Sequence, residues 1–367
     1  MTDQLVVGFD MTPAGLGQPG VGRYTVDLSD ALRRAPGVTL ERLGPPDRAL
    51  HGAVGRAARV AERVLAYYPV MLRRQASRRH VDVVHCPGAV APLRPGRPLV
   101  LTVHDVLPWR LPELFSSAAL ASRKLLLSRA TGMASRVMVA SEHARGEVVD
   151  LLGVAPERVA VAPLGVEPRF HPIHADPVML AHRFGIPPDP FVLWVGTPEP
   201  RKNLSVLLRA FALVRRRAPH CSLVLVGGDG MEDRDTAREL ELLGRSVIRP
   251  GVVTDDELVA LYSATTCFVF PSLYEGFGLP PLEAMACGAP VVAANRASIP
   301  EVVGDAGILV DPTDPDALAD AIERVVLNPQ VASDMRGRGL ARARDFTWDR
   351  CAQHTIAAYR AAIDDPR

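Results

Sequence analysis

The chain has 367 residues, 48% hydrophobic and 23% charged, with 42 Lys+Arg against 41 Asp+Glu. That length exceeds what one hydrophobic core usually serves, so two domains of roughly 150 to 200 residues are expected. The composition excludes a disordered chain, and a net charge of +1 gives no reason to expect nucleic acid as a partner.

The charge balance hides an asymmetry: residues 1–180 carry 22 basic and 16 acidic side chains, leaving 20 and 25 for the remainder. Five cysteines (Cys86, Cys221, Cys267, Cys287 and Cys351), odd in number and never spaced as CxxC, suggest neither a disulfide framework nor a zinc site. They fit a reducing cytosol. The opening MTDQLVVGFD lacks the basic flank and long apolar core of a signal peptide, and no run approaches the roughly 18 apolar residues of a membrane span. A cytoplasmic protein, soluble or peripheral on the inner face of the membrane, is expected.

Short apolar runs alternate with segments of helical periodicity, the pattern of a parallel sheet built from strand and helix units. The first expected strand, 4–8, leads into DMTPAGLGQPGVGRY at 10–24, with glycines at 15, 17, 20 and 22. Such a loop before a helix lets backbone N–H groups approach a phosphate, and a plain flexible loop would read the same. The segment 48–80 carries eight arginines against one acid, Glu62, among Val60, Val64, Leu65, Tyr67, Tyr68, Val70, Met71 and Leu72. It reads either as a peripheral patch for anionic lipid or as ordinary amphipathic helices. Strands follow at 81–85 and 98–103, ending at His85 and just before His104-Asp105. An imidazole at a strand end suits proton traffic or hydrogen bonding, and equally a structural role. A strand at 136–140 precedes Ser141, a helix cap, and a last one is expected at 159–162.

The proline-rich stretch from Pro163 to Pro190 places a domain boundary near residue 170, dividing the chain into 1–170 and 171–367. Strands are expected at 191–195, 222–226, 246–249, 266–270, 290–293 and 307–310. After the first of these comes TPEPRKNL at 197–204; Lys202 is one of only two lysines, the other being Lys124. Arg201 and Lys202 at a helix entrance oppose the helix dipole unless an anion sits there, which points to phosphate. Thr254 and Glu257 form a capping box. The stretch 272–288, SLYEGFGLPPLEAMACG, holds Glu275 and Glu283 eight positions apart and starts a helix near Pro280 or Pro281, with Glu283 in its first turn. The N–H groups of Gly276, Phe277, Gly278 and Leu279 are then available to a ligand. A final helix, 347–363, is capped by Thr347 and able to pack back on the first domain. The expected fold is therefore α/β, two doubly wound Rossmann-like domains, with ligands bound outside the strand C-termini.

In combination these residues resemble the EX7E motif (Glu275 to Glu283) and accompanying blocks of retaining glycosyltransferase family 4, which has the GT-B fold with two domains facing a central cleft. The likeness spans nearly the whole chain, including Arg23-Tyr24, His104-Asp105, Ser141 to His143, Glu199 to Asn203, Gly227 to Gly230 and Phe346 to Trp348. It implies a nucleotide-sugar donor on the second domain and a glycan or lipid-linked glycan acceptor on the first, with no cofactor. By resemblance, Glu283 holds the ribose, Glu275 approaches the sugar, Gly276, Phe277, Gly278 and Leu279 position sugar and phosphate, and the base meets backbone near Gly251 and Val252. Arg201 and Lys202 stabilise the leaving diphosphate, His104 touches the sugar from the other domain, Gly20 lies by the phosphate, and Arg23 and Tyr24 face the acceptor. No metal is implied, although Asp233 and Asp235 match a DxD pattern. Pro19 stands where many relatives have glycine, and Leu164 where Asn is common. The 272–288 and 298–305 blocks resemble bacterial mannosyltransferases of surface-polysaccharide pathways, which makes GDP-mannose the first expectation. UDP-glucose, UDP-N-acetylglucosamine and a dTDP-deoxysugar stay open, as do a 2-epimerase and a sugar-nucleotide sensor.

Overall fold

The computed structural model describes residues 4–14, 19–44, 71–88, 90–92, 94–231 and 234–365. Gly15, Gly17, Asp233 and positions 48–70 of the Arg-rich segment lie outside them. The chain forms two compact units, Met1–Gly165 with Thr347–Arg367, and Val166–Phe346. The division falls five residues before the expected boundary at 170, and the last helix is counted with the first unit.

In the first unit six parallel strands are arranged in the order β2-β1-β3-β4-β5-β6. They are β1 (Leu5–Asp10), β2 (Val38–Leu43), β3 (Val83–Cys86), β4 (Leu99–Thr102), β5 (Arg136–Val139) and β6 (Val159–Val161). The inner strands β3 and β4 are buried at every residue, as a sheet covered on both faces requires. Strand β2, absent from the sequence reading, pairs with β1 in register from Leu5↔Val38 to Asp10↔Leu43. It carries Glu41 and Arg42 on a half-exposed edge, so it lacks the apolar run that marks an inner strand. The order reverses between β1 and β3, which makes the loops after these strands the switch point where ligands bind in such sheets.

Helix Trp348–Asp364 closes this unit. Thr347 caps it by accepting from Arg350 N, and it buries Trp348, Cys351, Thr355 and Tyr359 among others. Gly165 permits the close approach, since a Cβ there would lie 2.1 Å from Trp348 N.

The second unit repeats the plan in the order β12-β11-β10-β7-β8-β9. Its strands are β7 (Phe191–Val195), β8 (Ser222–Val226), β9 (Val247–Gly251), β10 (Cys267–Phe270), β11 (Val291–Ala294) and β12 (Ile308–Val310). Helix Leu204–Arg217 buries Leu204, Leu207, Leu208, Phe211 and Val214 against Trp194, Leu223 and Leu225. The capping box between Thr254 and Glu257 is made in both directions at the start of helix Asp255–Ala264. Here the order reverses between β7 and β10, so the loops 196–203 and 271–279 share one switch point. No helix among the described residues is long and apolar enough to cross a membrane.

Candidate active site

The loop after β7 turns through a short 3-10 helix, Pro200–Lys202, and helix Leu204–Arg217 begins only after Asn203, which adopts a left-handed φ of 57°. Its amide donates to Pro271 O and Pro312 O at 3.1 and 2.6 Å, fixing the turn against the loop after β10. Arg201 O accepts from Leu273 N at 2.7 Å, a second tie between the two loops. These local bonds bring Arg201 and Lys202 to Glu275. Lys202 Nζ lies 2.6 Å from Glu275 Oε1, and Arg201 Nη1 lies 3.0 Å from Glu275 Oε2. Arg201 Nε also bonds Glu199 at 2.8 Å, and Lys202 sits 4.8 Å over the Phe270 ring.

One carboxylate thus holds two cations in a largely dry place. Burial drives the Glu275 carboxyl up, but Lys202 and Arg201 outweigh it and leave the group below its usual range. Burial lowers the Lys202 ammonium, with Glu275 opposing and Arg201 adding to the effect. The anion that the sequence called for beside these two cations is, in the structure, the Glu275 carboxylate.

The Glu275 loop has a further support that the sequence reading did not single out. Ser298 donates to the carbonyls of Glu275 and Phe277 at 2.8 and 2.6 Å. Gly278 takes φ 123° and caps helix Leu279–Ala286, which begins at Leu279, one residue before Pro280. Glu283 is consequently in the second turn rather than the first. It is only 4% exposed, and Oε2 accepts from Tyr262 OH at 3.3 Å. The carboxylate expected at the ribose is thus seated in the unit's interior, where a tyrosine shared with the core orients it. Gly276 and Phe277 stay beside Glu275 in the same loop.

Across the β7 loop, at the ends of β8 and β9, is a cavity of about 230 Å³ lined by Gly196, Pro198, Gly227, Gly228, Asp229, Arg249 and Gly251, among others. The glycines make it possible. A Cβ on Gly227 would lie 1.7 Å from Gly196 O, and one on Gly230 would lie 2.1 Å from Pro198 O. A Cβ on Gly196 would be 3.8 Å from Lys202 Cε, which puts the cavity next to the cations. Val252 is 75% exposed just beyond Gly251. Asp235 opens helix Arg234–Leu243 in its first turn.

In the first unit His104 follows β4 and donates from Nε2 to Pro87 O at 3.0 Å. A carbonyl can only accept, so Nε2 carries the proton and Nδ1 the lone pair. Burial lowers the ring below its usual range, with Pro87 and Asp105 opposing, so it is neutral near pH 7. A neutral imidazole with Nδ1 as acceptor suits a sugar hydroxyl better than a phosphate.

Other expectations on this unit change. Tyr24, expected at the acceptor, is 2% exposed; its ring packs edge to face on His104 and its hydroxyl bonds Thr102 at 2.9 Å. Its one polar group is thus engaged by Thr102 inside the unit rather than turned to an acceptor. Arg23 is half-buried in helix Pro19–Arg34, whose second residue is Gly20. A Cβ at Gly20 would meet nothing within 4 Å among the described residues.

The second unit thus holds two cations and a carboxylate at its switch point, and the first unit holds a neutral imidazole after β4. Comparison with known proteins gives the class. Residues 182–342 match the family described as glycosyl transferases group 1, and residues 19–170 match Glycosyltransferase Family 4. The chain is 35% identical over 305 residues to an O-antigen chain mannosyltransferase B of Escherichia coli, covering 80% of this chain and 79% of that one. It is 31% identical to a D-inositol 3-phosphate glycosyltransferase of Acidothermus cellulolyticus, covering 93% and 80% respectively. Among solved structures, Anabaena Alr3699/HepE in complex with UDP-glucose superposes with a TM-score of 0.71 at 21% identity, covering 96% of this chain and 99% of that one. The chain belongs to glycosyltransferase family 4 and has the GT-B fold.

Proposed function

We propose that this glycosyltransferase moves mannose from GDP-mannose onto a glycan or lipid-linked glycan, with retention of anomeric configuration and without a metal ion. The donor reading is carried by the 35% identity to a mannosyltransferase over most of both chains. The cavity beside Gly227 and Gly251 is the place for the base, Glu283 for the ribose, and the loop 276–279 for sugar and phosphate. Arg201 and Lys202 take the charge that grows on the diphosphate as the glycosidic bond breaks, the role a metal plays elsewhere. Glu275 orients the cations and the sugar, His104 accepts from a sugar hydroxyl, and the leaving phosphate takes the proton of the attacking hydroxyl on the same face. Positions 48–80 would bring the enzyme to an anionic inner membrane surface.

The 31% identity to an inositol phosphate glycosyltransferase supports a second acceptor class, an inositol phosphate. One experiment addresses donor and acceptor in turn. GDP-mannose, UDP-glucose, UDP-N-acetylglucosamine and a dTDP-deoxysugar are compared for thermal stabilisation, because a ligand that binds only the folded state raises Tm. The winner is then offered to mannan-type glycans and to inositol phosphate, with and without EDTA, and the product anomer is read by NMR. GDP-mannose is expected to win and to give an α-mannoside in EDTA. Stabilisation by a UDP-sugar and not by GDP-mannose would overturn the donor reading, and a β-product the retaining one.

A further inference from the structure

Below His104 the first unit contains a run of buried polar groups that donor chemistry does not call on. His85, third residue of β3, is 0% exposed and has a partner on each ring nitrogen. Nδ1 lies 2.6 Å from Tyr359 OH, and Nε2 lies 2.8 Å from Thr102 Oγ1. Thr102 Oγ1 in turn lies 2.9 Å from Tyr24 OH. Burial, with His104 adding to it, pushes the His85 imidazole down to about 3, so it is neutral and offers one N–H and one lone pair. If Nε2 holds the lone pair, donation runs from Tyr24 to Thr102 to His85 to Tyr359; if Nε2 carries the proton, Thr102 Oγ1 accepts it and Tyr359 donates to Nδ1. A buried polar chain is costly to leave half made, so each member holds the next in place.

The chain ends at the candidate site. Tyr24, anchored at its hydroxyl, sets its ring against His104 with centroids 4.7 Å apart and planes at 84°. On another side Tyr24 tilts against Trp348, centroids 6.1 Å apart, from the same closing helix that supplies Tyr359. Among the described residues, the hydrogen bond on the His104 ring is the one to Pro87 O. That bond selects the tautomer but leaves the ring free to swing about the line between the two atoms. The Tyr24 ring, set edge to face on the imidazole, opposes that swing.

We infer that Tyr359, His85, Thr102 and Tyr24 are positioning residues that fix the plane of the His104 imidazole and so the aim of Nδ1. The inference rests on the reading of His104 as a sugar contact. It gives the C-terminal helix, far along the chain from β4, a part in the transfer step.

Thr102→Val removes the central hydroxyl while keeping shape, and Thr102→Ser keeps the hydroxyl. Steady-state transfer by the full chain is expected to show kcat reduced about tenfold in Thr102→Val with donor KM within about twofold, as a small misplacement of one contact would give. Thr102→Ser restores most of the rate. Tyr359→Phe, which deletes only the outermost oxygen, lowers kcat in the same sense, and stands in should Thr102→Val fail to fold. Unchanged kcat in both Thr102→Val and Tyr359→Phe overturns the inference, as does a Thr102→Ser variant as slow as Thr102→Val. His104→Ala separates the two levels of the argument. If it leaves transfer intact, the reading of His104 falls and the inference with it; if it slows transfer while neither Thr102→Val nor Tyr359→Phe does, only the inference falls.

Discussion

Glu275 pairs with Lys202 and Arg201 together, and that pairing accounts for both its protonation and its place in the loop. Its folded-state carboxyl is held below the unfolded value, with burial working against the two cations and losing. The stabilisation it contributes is therefore complete above the unfolded pKa, about 4.3, and is lost as pH falls through the lower folded value. Glu275→Gln should cost roughly 3 kcal/mol at pH 7, because Lys202 and Arg201 are left without their acid. The difference between wild type and variant should shrink steadily below about pH 4. Urea unfolding at pH 7 and pH 3.5 measures both; a gap that stays constant with pH would show that the carboxylate charge is not what stabilises the loop. Glu275 was visible in the sequence because it sits among glycines and prolines with no other charge nearby. The depth of Glu283 was not, since its exposure depends on Tyr262, supplied by another helix.

At the scale of an element, the turn after β8 is decided by backbone clearance. Gly227 has φ +150° and no room for a Cβ against Gly196 O, whereas among the described residues a Cβ on the adjacent Gly228 would meet only Val252 Cγ2, at an ordinary 3.5 Å. Gly227→Ala should push the β8 turn off the β7 turn, cost more than about 2 kcal/mol and weaken donor binding at least tenfold. Gly228→Ala should change stability by less than about 0.5 kcal/mol. Calorimetric titration with the preferred nucleotide and urea melts of both variants make the comparison; equal behaviour of the two would refute the clearance argument. Which glycine was indispensable could not be read from GGDG as letters. The loop it must clear comes from β7, some thirty positions earlier in the chain.

For the whole molecule, the covalent order and the structural units differ. The chain leaves the first unit at Gly165 and returns to it at Thr347. Deleting 347–367 should therefore loosen the first sheet, which loses Trp348, Cys351, Ala358 and Tyr359 from its cover, and spare the second. Hydrogen exchange is expected to accelerate across β3, β4 and β5 while β7 to β11 keep their protection. Loss of protection in β7 to β11 instead would mean that the helix supports the other unit.

By itself the sequence determined whatever depends on near neighbours. Apolar runs bounded by turn residues located eleven of the twelve strands among the described residues, and Ser141, Thr254 and Thr347 marked their helix starts, because burial on both sheet faces and capping act within a few positions. The order of chemistry-bearing residues after those strands was enough to suggest the family. Tertiary structure alone decided the rest. It added β2, whose charged edge is a strand only because β1 lies beside it. It also withdrew Tyr24 from the surface, put Glu283 in the interior and joined Tyr359 to His85, a contact between positions 274 apart. Such facts follow from which surfaces meet when two sheets are covered, and spacing along one chain does not encode them locally.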